Sequence, residues 1–522
     1  MKIKIVPAEL PDNPSSREAA NCLSNLTNQP PDVLLAMWNI DEEIAPILRK
    51  LTKEECIELY ETHKAKLFTE NGYFSIYYIP KKMLSVSHSG SKEFKYYSIA
   101  QYFQEVTETP ELEVQQELAD KLASTLQEMK IYPTKLSSPI AMYFETQLSH
   151  MDIPDILDMP YEVAEYAWAA SGRLWIEAFQ LGYWEDAVEI DIVSAFPNTM
   201  RKLYDIRKLN WHKGNKINGE KLLEHSVYCY CKCKINIEKD VTAIVRRTKH
   251  AMENNKGSWT DVLNKREIQY IRYWELGKVE ILDGHFGLPN KGIVSKSVTA
   301  YPFEVPMKKL IYNRSKATSK LAKDIYKGAA VGTYGKTGAY YGKEIGKFNP
   351  VYFTETATNT RIKLGNIVHK YNLEKHLIHA GVDGVLCAPK ISNKVLELIR
   401  QNEFLKVEEN IEALVASSGQ AFIGDRKPMG ISIADVKEKI QSAPYDSYYR
   451  WELNRRVTLG EAIKNGNIEE LGKMKPHHVS IDIMLANKLE RDRNYEVLPK
   501  HGYDLMNKQF PSTAIKIKEE GV

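Results

Sequence analysis

Long apolar runs are missing from this sequence. No stretch of its 522 residues approaches the length of a membrane span, and MKIKIVPAEL at the start lacks the apolar segment of a secretory signal. An intracellular, cytoplasmic protein with no membrane partner is the expectation. Cysteine is scarce too: six residues, three of them in Cys229-Tyr-Cys231-Lys-Cys233. That distribution excludes a disulfide framework. The period of two puts the three cysteines on one face of a strand. No histidine or cysteine cluster stands at a spacing that would complete a zinc site, so they read as buried strand residues. Net charge is only +3. It neither supports nor excludes nucleic acid, which needs local basic strips rather than a high total. No internal repeat or low-complexity tract interrupts the chain.

What is present is the balance of a globular protein, 43% hydrophobic and 27% charged. The length calls for two to four domains. Thirty tyrosines interleave with lysines in a way that suits stacking on bases, although core packing accounts for most of them. The proline-rich stretch from Pro7 to about Asp32 reads as irregular. Helical spacing follows around Ile47, Leu48, Leu51 and Ile57, and strand alternation begins at Tyr73. Helices are expected at ELEVQQELADKLASTLQEM, SPIAMYFETQL and PYEVAEYAWAAS. AVEIDIV, SVYCYCKCKINI and KVEILDGHFGL read as strands. A basic helix from Lys308 to about Ala330 leads to a turn at TYGKTG, then a strand–turn–strand at HLIHAGVDGVLCAP. The last hundred residues read as helical and basic.

Three segments carry chemistry. In Asp191-Ile-Val-Ser-Ala-Phe-Pro197, strand alternation puts Val188, Ile190 and Ile192 on one face and Glu189 and Asp191 on the other. Pro197 ends the ladder, leaving turn amides that can meet a phosphate. An edge strand with a solvent-facing aspartate has the same pattern. Lys316, Lys320, Lys323 and Lys327 follow at spacings that put four like charges on one helical face, with Asp324 offsetting part of them. A triphosphate would relieve their repulsion, and a solvated face is the commoner use of such runs. The continuation Val331-Gly-Thr-Tyr334-Gly335-Lys336-Thr-Gly338 favours close approach of a ligand. Third, Ala380-Gly381-Val382-Asp383-Gly384-Val385 places Asp383 at the tip of a tight turn, where aspartate is also simply a good turn former.

Together and in this order, the three segments resemble the motifs of family B DNA polymerases. DIVSAFP is similar to Asp-x-x-Ser-Leu-Tyr-Pro through Asp191, Ser194 and Pro197, with Phe196 in the tyrosine position. KGAAVGTYG is similar to Lys-x-x-x-Asn-Ser-x-Tyr-Gly through Lys327, Tyr334 and Gly335, and GVDG keeps the second aspartate of Asp-Thr-Asp-Ser. Gly172 and Arg173 resemble the remnant of a Gly-Gly-Arg-like element, and YYIPKKMLSVSHSG a piece of the exonuclease-type domain. The resemblance is strong from about 165 to 390 and weak on either side.

It implies an α+β, right-hand polymerase with palm, fingers and thumb, plus an N-terminal exonuclease-like α/β domain. The expected boundaries are 1–165 for a degenerate exonuclease-like domain, 166–305 and 336–415 for the palm, 306–335 for the fingers and 416–522 for the thumb. It implies a short, virus- or plasmid-like member acting in the host cell. The implied cofactor is a pair of Mg²⁺ ions, with Mn²⁺ as substitute, held by Asp191 and Asp383 with the carbonyl of Ile192 as a further ligand. Lys327, Lys323 and Arg314 would hold the incoming dNTP, the amides of Ser194 and Ala195 would cradle it, and Phe196 and Tyr334 would lie against it. Gly172, Arg173, Gly335, Lys336, Arg426 and Lys427 would contact the DNA primer-template, with Arg455 and Arg456 in the same basic region. Gly381 stands where the family has a third aspartate, and Val331 where it has an asparagine. Asp41-Glu-Glu43 is the one candidate for a proofreading Asp-x-Glu pair, and its helical setting reads as chance, so no exonuclease is expected. The short stretch from Lys327 to Asp383 predicts low processivity and a processivity or priming protein as partner. A primase-like or translesion polymerase, and an inactive nucleic-acid-binding replication subunit, are the alternatives.

Overall fold

Alternation of apolar and polar residues builds the first sheet. In Gly72–Ile79, Phe74, Ile76 and Tyr78 are buried while their neighbours are half-exposed, the period of a strand with one covered face. The computed structural model describes residues 2–30, 33–70, 72–103, 105–106, 108–136, 142, 152–247, 252–253, 255–290, 300–339, 348–486, 491–493 and 498–516. They fall into two compact units: residues 1–151, 310–333 and 452–477, and residues 152–309, 334–451 and 478–522. None of the described helices is long and apolar enough to cross a membrane.

The first unit holds a six-stranded mixed sheet in the order Ile3–Ile5, Leu34–Met37, Phe94–Ser98, Met83–His88, Gly72–Ile79, Lys64–Thr69. The first three strands run parallel and the rest antiparallel. Two of its helices start where the sequence supplies capping boxes. Ser15 and Glu18 form a capping box on Ser16–Leu26, as Thr52 and Glu55 do on Lys53–Thr62. The first corrects the irregular reading of the proline-rich start, because Ser-x-x-Glu outweighs the flanking prolines. Helix Leu112–Glu128 lies along the edge strand Ile3–Ile5. There Gln116 accepts from the Ile5 amide and donates to the Ile3 carbonyl, both at 3.0 Å, occupying groups that an open edge would expose.

Two further sequence expectations change. The basic segment is two helices, Glu304–Lys316 and Lys320–Thr337, separated at Ala317–Ser319. Ser319 opens the second, its hydroxyl accepting from the Ala322 amide at 3.2 Å. Lys316 therefore leaves the stripe, and Lys320, Lys323 and Lys327 remain on one helix. That helix also runs through Tyr334, Gly335 and Lys336, where a turn was expected; Gly328, Gly332 and Gly335 each cost about 1 kcal/mol against alanine, which packing of the helix outweighs. The helix expected over 138–148 lies outside the described residues except at Met142.

The two larger sheets of the second unit are antiparallel, except that Ile515–Lys516 runs parallel to Asn255–Asn264. One has the order Gln420–Ile423, Leu405–Ser417, Gln180–Ile192, Gly384–Cys387, Leu377–Gly381, Ile176–Ala178, with Phe510–Pro511 added to the start of Gln180–Ile192. The other centres on Tyr228–Ile237, flanked by Asn255–Asn264 and Gly277–Pro289. Cys229, Cys231 and Cys233 are free thiols, fully buried in the apolar core. The last hundred residues carry strands as well as helices, including the paired Tyr448–Arg456 and Met474–Asp482. Their alternation is blurred by exposed charge on both faces.

Helix Pro350–Lys370 is the unit's central strut, buried along most of its length. Arg361 on this helix and Glu267, both fully buried, form an ion pair. Glu267 also closes the capping box with Asn264 on helix Lys265–Tyr273. A buried guanidinium that loses its carboxylate is left as an uncompensated charge, so Glu267→Gln is expected to destabilise the protein by about 3–5 kcal/mol. Urea unfolding of the full chain measures this, and an unchanged unfolding midpoint would contradict it.

Candidate active site

The candidate site is built on strand Gln180–Ile192. Val188, Ile190 and Ile192 enter the core, and Glu189 and Asp191 occupy the opposite face, as alternation requires. The strand ends at Val193, and Ser194 takes a left-handed conformation (φ 48°) before helix Ala195–Met200. Pro197 sits in the first turn of that helix, where its missing N–H is tolerated.

The neighbouring hairpin brings the second acid. Gly381 pairs with Gly384 across a two-residue tip made of Val382 and Asp383. Val382 has φ 63°, an uncommon conformation for a β-branched residue and one that a two-residue hairpin of this hand demands. Its amide donates to the Trp175 carbonyl at 2.8 Å, which anchors the tip. Asp191 lies opposite Gly384, and the Ile192 amide donates to the Asp383 carbonyl at 2.9 Å. Two aspartates 192 positions apart in sequence are thus adjacent across one strand pair.

Charge gathers on this face. Lys406 lies opposite Asp191, and Glu408 opposite Glu189 and in an ion pair with Lys406. Arg426 bonds Glu189 at 2.6 Å and lies 3.9 Å from Asp191. Burial pushes the Asp191 carboxyl above the usual carboxylate range; Arg426 opposes that shift, Glu408 adds to it and Lys406 opposes it. Glu189 is raised as well, first by burial and then by the charge of Asp191, with Arg426 opposing. Sequence reading missed this grouping. The alternation that put Glu189 beside Asp191 was its only visible sign.

Divalent magnesium prefers oxygen ligands and is commonly held by one or two carboxylates, with substrate phosphates and waters completing the octahedron. Two aspartates on neighbouring strands fit that description. Among the described residues no group of three or more His, Cys, Asp or Glu could hold a metal by itself.

An aromatic column lies close by. Phe196 stacks on Tyr334 with ring centroids 4.7 Å apart, and Tyr334 on Phe353 at 4.8 Å and 11°. Phe353 stacks in turn on Trp168 at 5.9 Å. Burial raises the Tyr334 phenol to about 12. A Cβ on Gly338 would meet the Phe353 ring at 2.4 Å, so this glycine is needed for the column rather than for a ligand's approach. Gly335 faces open space.

Other expected site residues are dispersed. Arg173 is corrected: its guanidinium is buried, bonded to Asp261 at 2.7 Å and to the Ala169 carbonyl at 3.2 Å. It braces the fold and cannot reach a DNA phosphate. Its neighbour Gly172 has φ 71°. Arg426 stands among the carboxylates rather than in an open basic patch, while Lys427 is exposed. Arg314, Lys323 and Lys327 belong to the first unit, where both lysines are exposed. Also in that unit, Arg455 pairs with Glu461 and Arg456 with Glu42 at 2.5 Å. Asp41 accepts from the Tyr78 hydroxyl and the Lys81 amide, and Glu43 from the amides of Ala8 and Asn39. Both carboxylates are engaged in structural bonds.

The mixed arrangement of helices and strands is similar to a DNA polymerase fold. Comparison with solved structures supports that class. Phi29 DNA polymerase complexed with primer-template DNA and incoming nucleotide substrates matches with a TM-score of 0.54 at 11% identity, covering 89% of this chain and 93% of that one. The same polymerase with primer-template DNA alone gives 0.54 at 10%, covering 90% and 93%. With single-stranded DNA it gives 0.51 at 10%, covering 86% and 91%. At such identities the likeness is one of fold. No protein-family model and no curated protein matches the sequence.

Gly384 is the most sensitive contact of the site, because a Cβ there would lie 1.8 Å from the Asp191 Oδ1. Gly384→Ala is expected to displace that carboxylate while the hairpin persists. Circular dichroism should be unchanged and a crystal structure of the variant should show the Asp191 carboxylate displaced; an unmoved carboxylate would show that the site has freedom this geometry denies it.

Proposed function

We propose that this protein is a template-directed DNA polymerase, adding dNTPs to a primer 3′ end by phosphoryl transfer. The observation that carries the reading is the register placing Asp191 opposite Gly384, directly beside Asp383. In such chemistry the protein mainly positions reactants and neutralises charge. Asp191, Asp383 and the Ile192 carbonyl would hold two Mg²⁺ ions, with Mn²⁺ as substitute. When bound, these ions stabilise the attacking and leaving oxygens.

Other residues are proposed for the remaining tasks. The Ser194 and Ala195 amides stand at the turn after the catalytic strand, where backbone N–H groups can receive phosphate oxygens. Lys323 and Lys327, both exposed, and Arg314 would supply positive charge for a triphosphate. Lys327 precedes Tyr334 by seven residues on one helix, about two turns. Phe196, held flat by its stack on Tyr334, would lie against the sugar and exclude a 2′-hydroxyl by bulk. Gly335, Lys336 and Lys427 are proposed to face DNA. In this reading the sheet around Asp191 is the palm, the helices of 306–335 the fingers and the segment after 416 the thumb, while residues 1–165 are an exonuclease-like domain without proofreading. A processivity or priming protein is the proposed partner. A virus or plasmid is the proposed source.

Asp191→Asn and Asp383→Asn are each expected to reduce Mg²⁺-dependent primer extension by roughly 1000-fold or more while leaving primer-template affinity nearly unchanged. Extension at the wild-type rate by either variant would remove the metal assignment. Phe196→Val is expected to raise ribonucleotide incorporation relative to deoxyribonucleotide by about 10- to 100-fold. An unchanged ratio in single-nucleotide extension would remove the steric role.

A further inference from the structure

Two cavities of the second unit share Arg266, Ile362 and Asn366 and so form one continuous groove. One, about 830 Å³, lies along helices Lys265–Tyr273 and Pro350–Lys370; the other, about 610 Å³, extends to Arg201, Lys202, Lys363 and Phe404. Cations dominate the lining. Arg201, Lys202, Arg266, Lys363 and Lys370 form no ion pair among the described residues, whereas Arg272 is neutralised by two bonds to Glu220 at 2.7 and 2.8 Å. Glu355 is the only carboxylate among the lining residues, and it is buried. Burial and the charges of Lys202 and Arg201 hold the Lys363 ammonium below its usual range. Like charges gathered in this way favour a polyanion.

Aromatic rings alternate with the cations. Tyr273 is 78% exposed and stands edge-on to Trp274 at 5.0 Å. The Trp274 Nε1 donates to Asn366 Oδ1 at 2.6 Å, fixing the ring. At the other end Lys202 and Lys363 lie over Phe404 at 5.9 and 5.2 Å. The Phe404 carbonyl accepts from the Val193 amide at 2.9 Å, two residues beyond Asp191. The spacing repeats on both helices: Arg266 and Tyr273 are seven apart on one, and Lys363 and Lys370 seven apart on the other.

We infer that this groove binds single-stranded nucleic acid, its cations following the phosphodiester backbone and its exposed rings stacking on bases. A duplex would keep its bases stacked internally and leave Tyr273 without a partner. Neither Asp191 nor Asp383 lines this groove, and the inference stands whether or not the chain polymerises DNA.

The test uses the full chain and a fluorescein-labelled oligo(dT) of about 20 nucleotides, long enough for one such site. The triple variant Arg266→Ala/Tyr273→Ala/Lys370→Ala alters only exposed side chains, and thermal unfolding checks that its fold is intact. Affinity by fluorescence anisotropy is expected to fall at least about tenfold, and the slope of log affinity against log salt by about 1.4, for two lost phosphate contacts. Affinity for a duplex of equal length should change less than twofold. Unchanged affinity and slope for the single strand would overturn the site, and equal losses for the duplex would overturn its assignment to single strands. As a second measurement on the wild-type protein, oligo(dT) carrying 5-iododeoxyuridine should photo-crosslink to Tyr273 or Trp274. Adducts found only elsewhere would also overturn it. Asp191→Asn should retain this binding in full, so a failure of primer extension and a failure of the groove are separable results.

Discussion

Antiparallel pairing between Gln180–Ile192 and Gly384–Cys387 is the constraint on which the site depends. Side chains alternate along a strand, so a slip of one residue would turn Asp191 into the core and bring Ile190 or Ile192 out. The register is held from both sides of the strand. Val188, Ile190 and Ile192 must be buried on one face, and on its other edge the strand pairs with Leu405–Ser417 in a register that sets Lys406 opposite Asp191. The short tip of Val382 and Asp383 then brings the Asp383 backbone against Ile192, one position from Asp191. Gly384 completes the lock, since any larger residue would occupy the space of the Asp191 carboxylate.

The same pairing concentrates charge. Among the described residues, Glu189, Asp191 and Glu408 meet Lys406 and Arg426 in return. Three carboxylates against two cations leave a negative excess on a partly buried face, where attraction for a small divalent ion is stronger than in open water. Arg426 also bonds to buried Glu189, which keeps that group from standing as an unpaired charge. Stability elsewhere in the unit rests on similar buried pairs. Arg361 with Glu267 and Arg173 with Asp261 tie helices and strands of the second sheet together.

Much of this arrangement was legible in the sequence. The alternation around Asp191 and the glycines about Asp383 announced a strand and a hairpin, and their order suggested the fold to which the phi29 structures are similar. The buried cysteines followed from a period of two. What could not be read lies where partners are distant or local signals compete. Arg173 and Arg426 look alike as basic residues, yet one is sealed against Asp261 and the other stands in the carboxylate cluster. The lysine stripe broke because Ser319 caps a new helix, and the turn expected at Tyr334 gave way to a helix whose tyrosine is packed between Phe196 and Phe353. The groove beside Arg266 joins residues from six separate segments, and no window of sequence contains it.

Direct location of the cations bears most closely on the central claim, that Asp191 and Asp383 act as one site. Crystals grown with Mn²⁺, primer-template and a non-hydrolysable dNTP would show the ions by anomalous scattering. Two peaks roughly 3.5–4 Å apart, within coordination distance of both carboxylates and the triphosphate, are the result this account requires. Ordered nucleotide with no manganese between those two aspartates would contradict it.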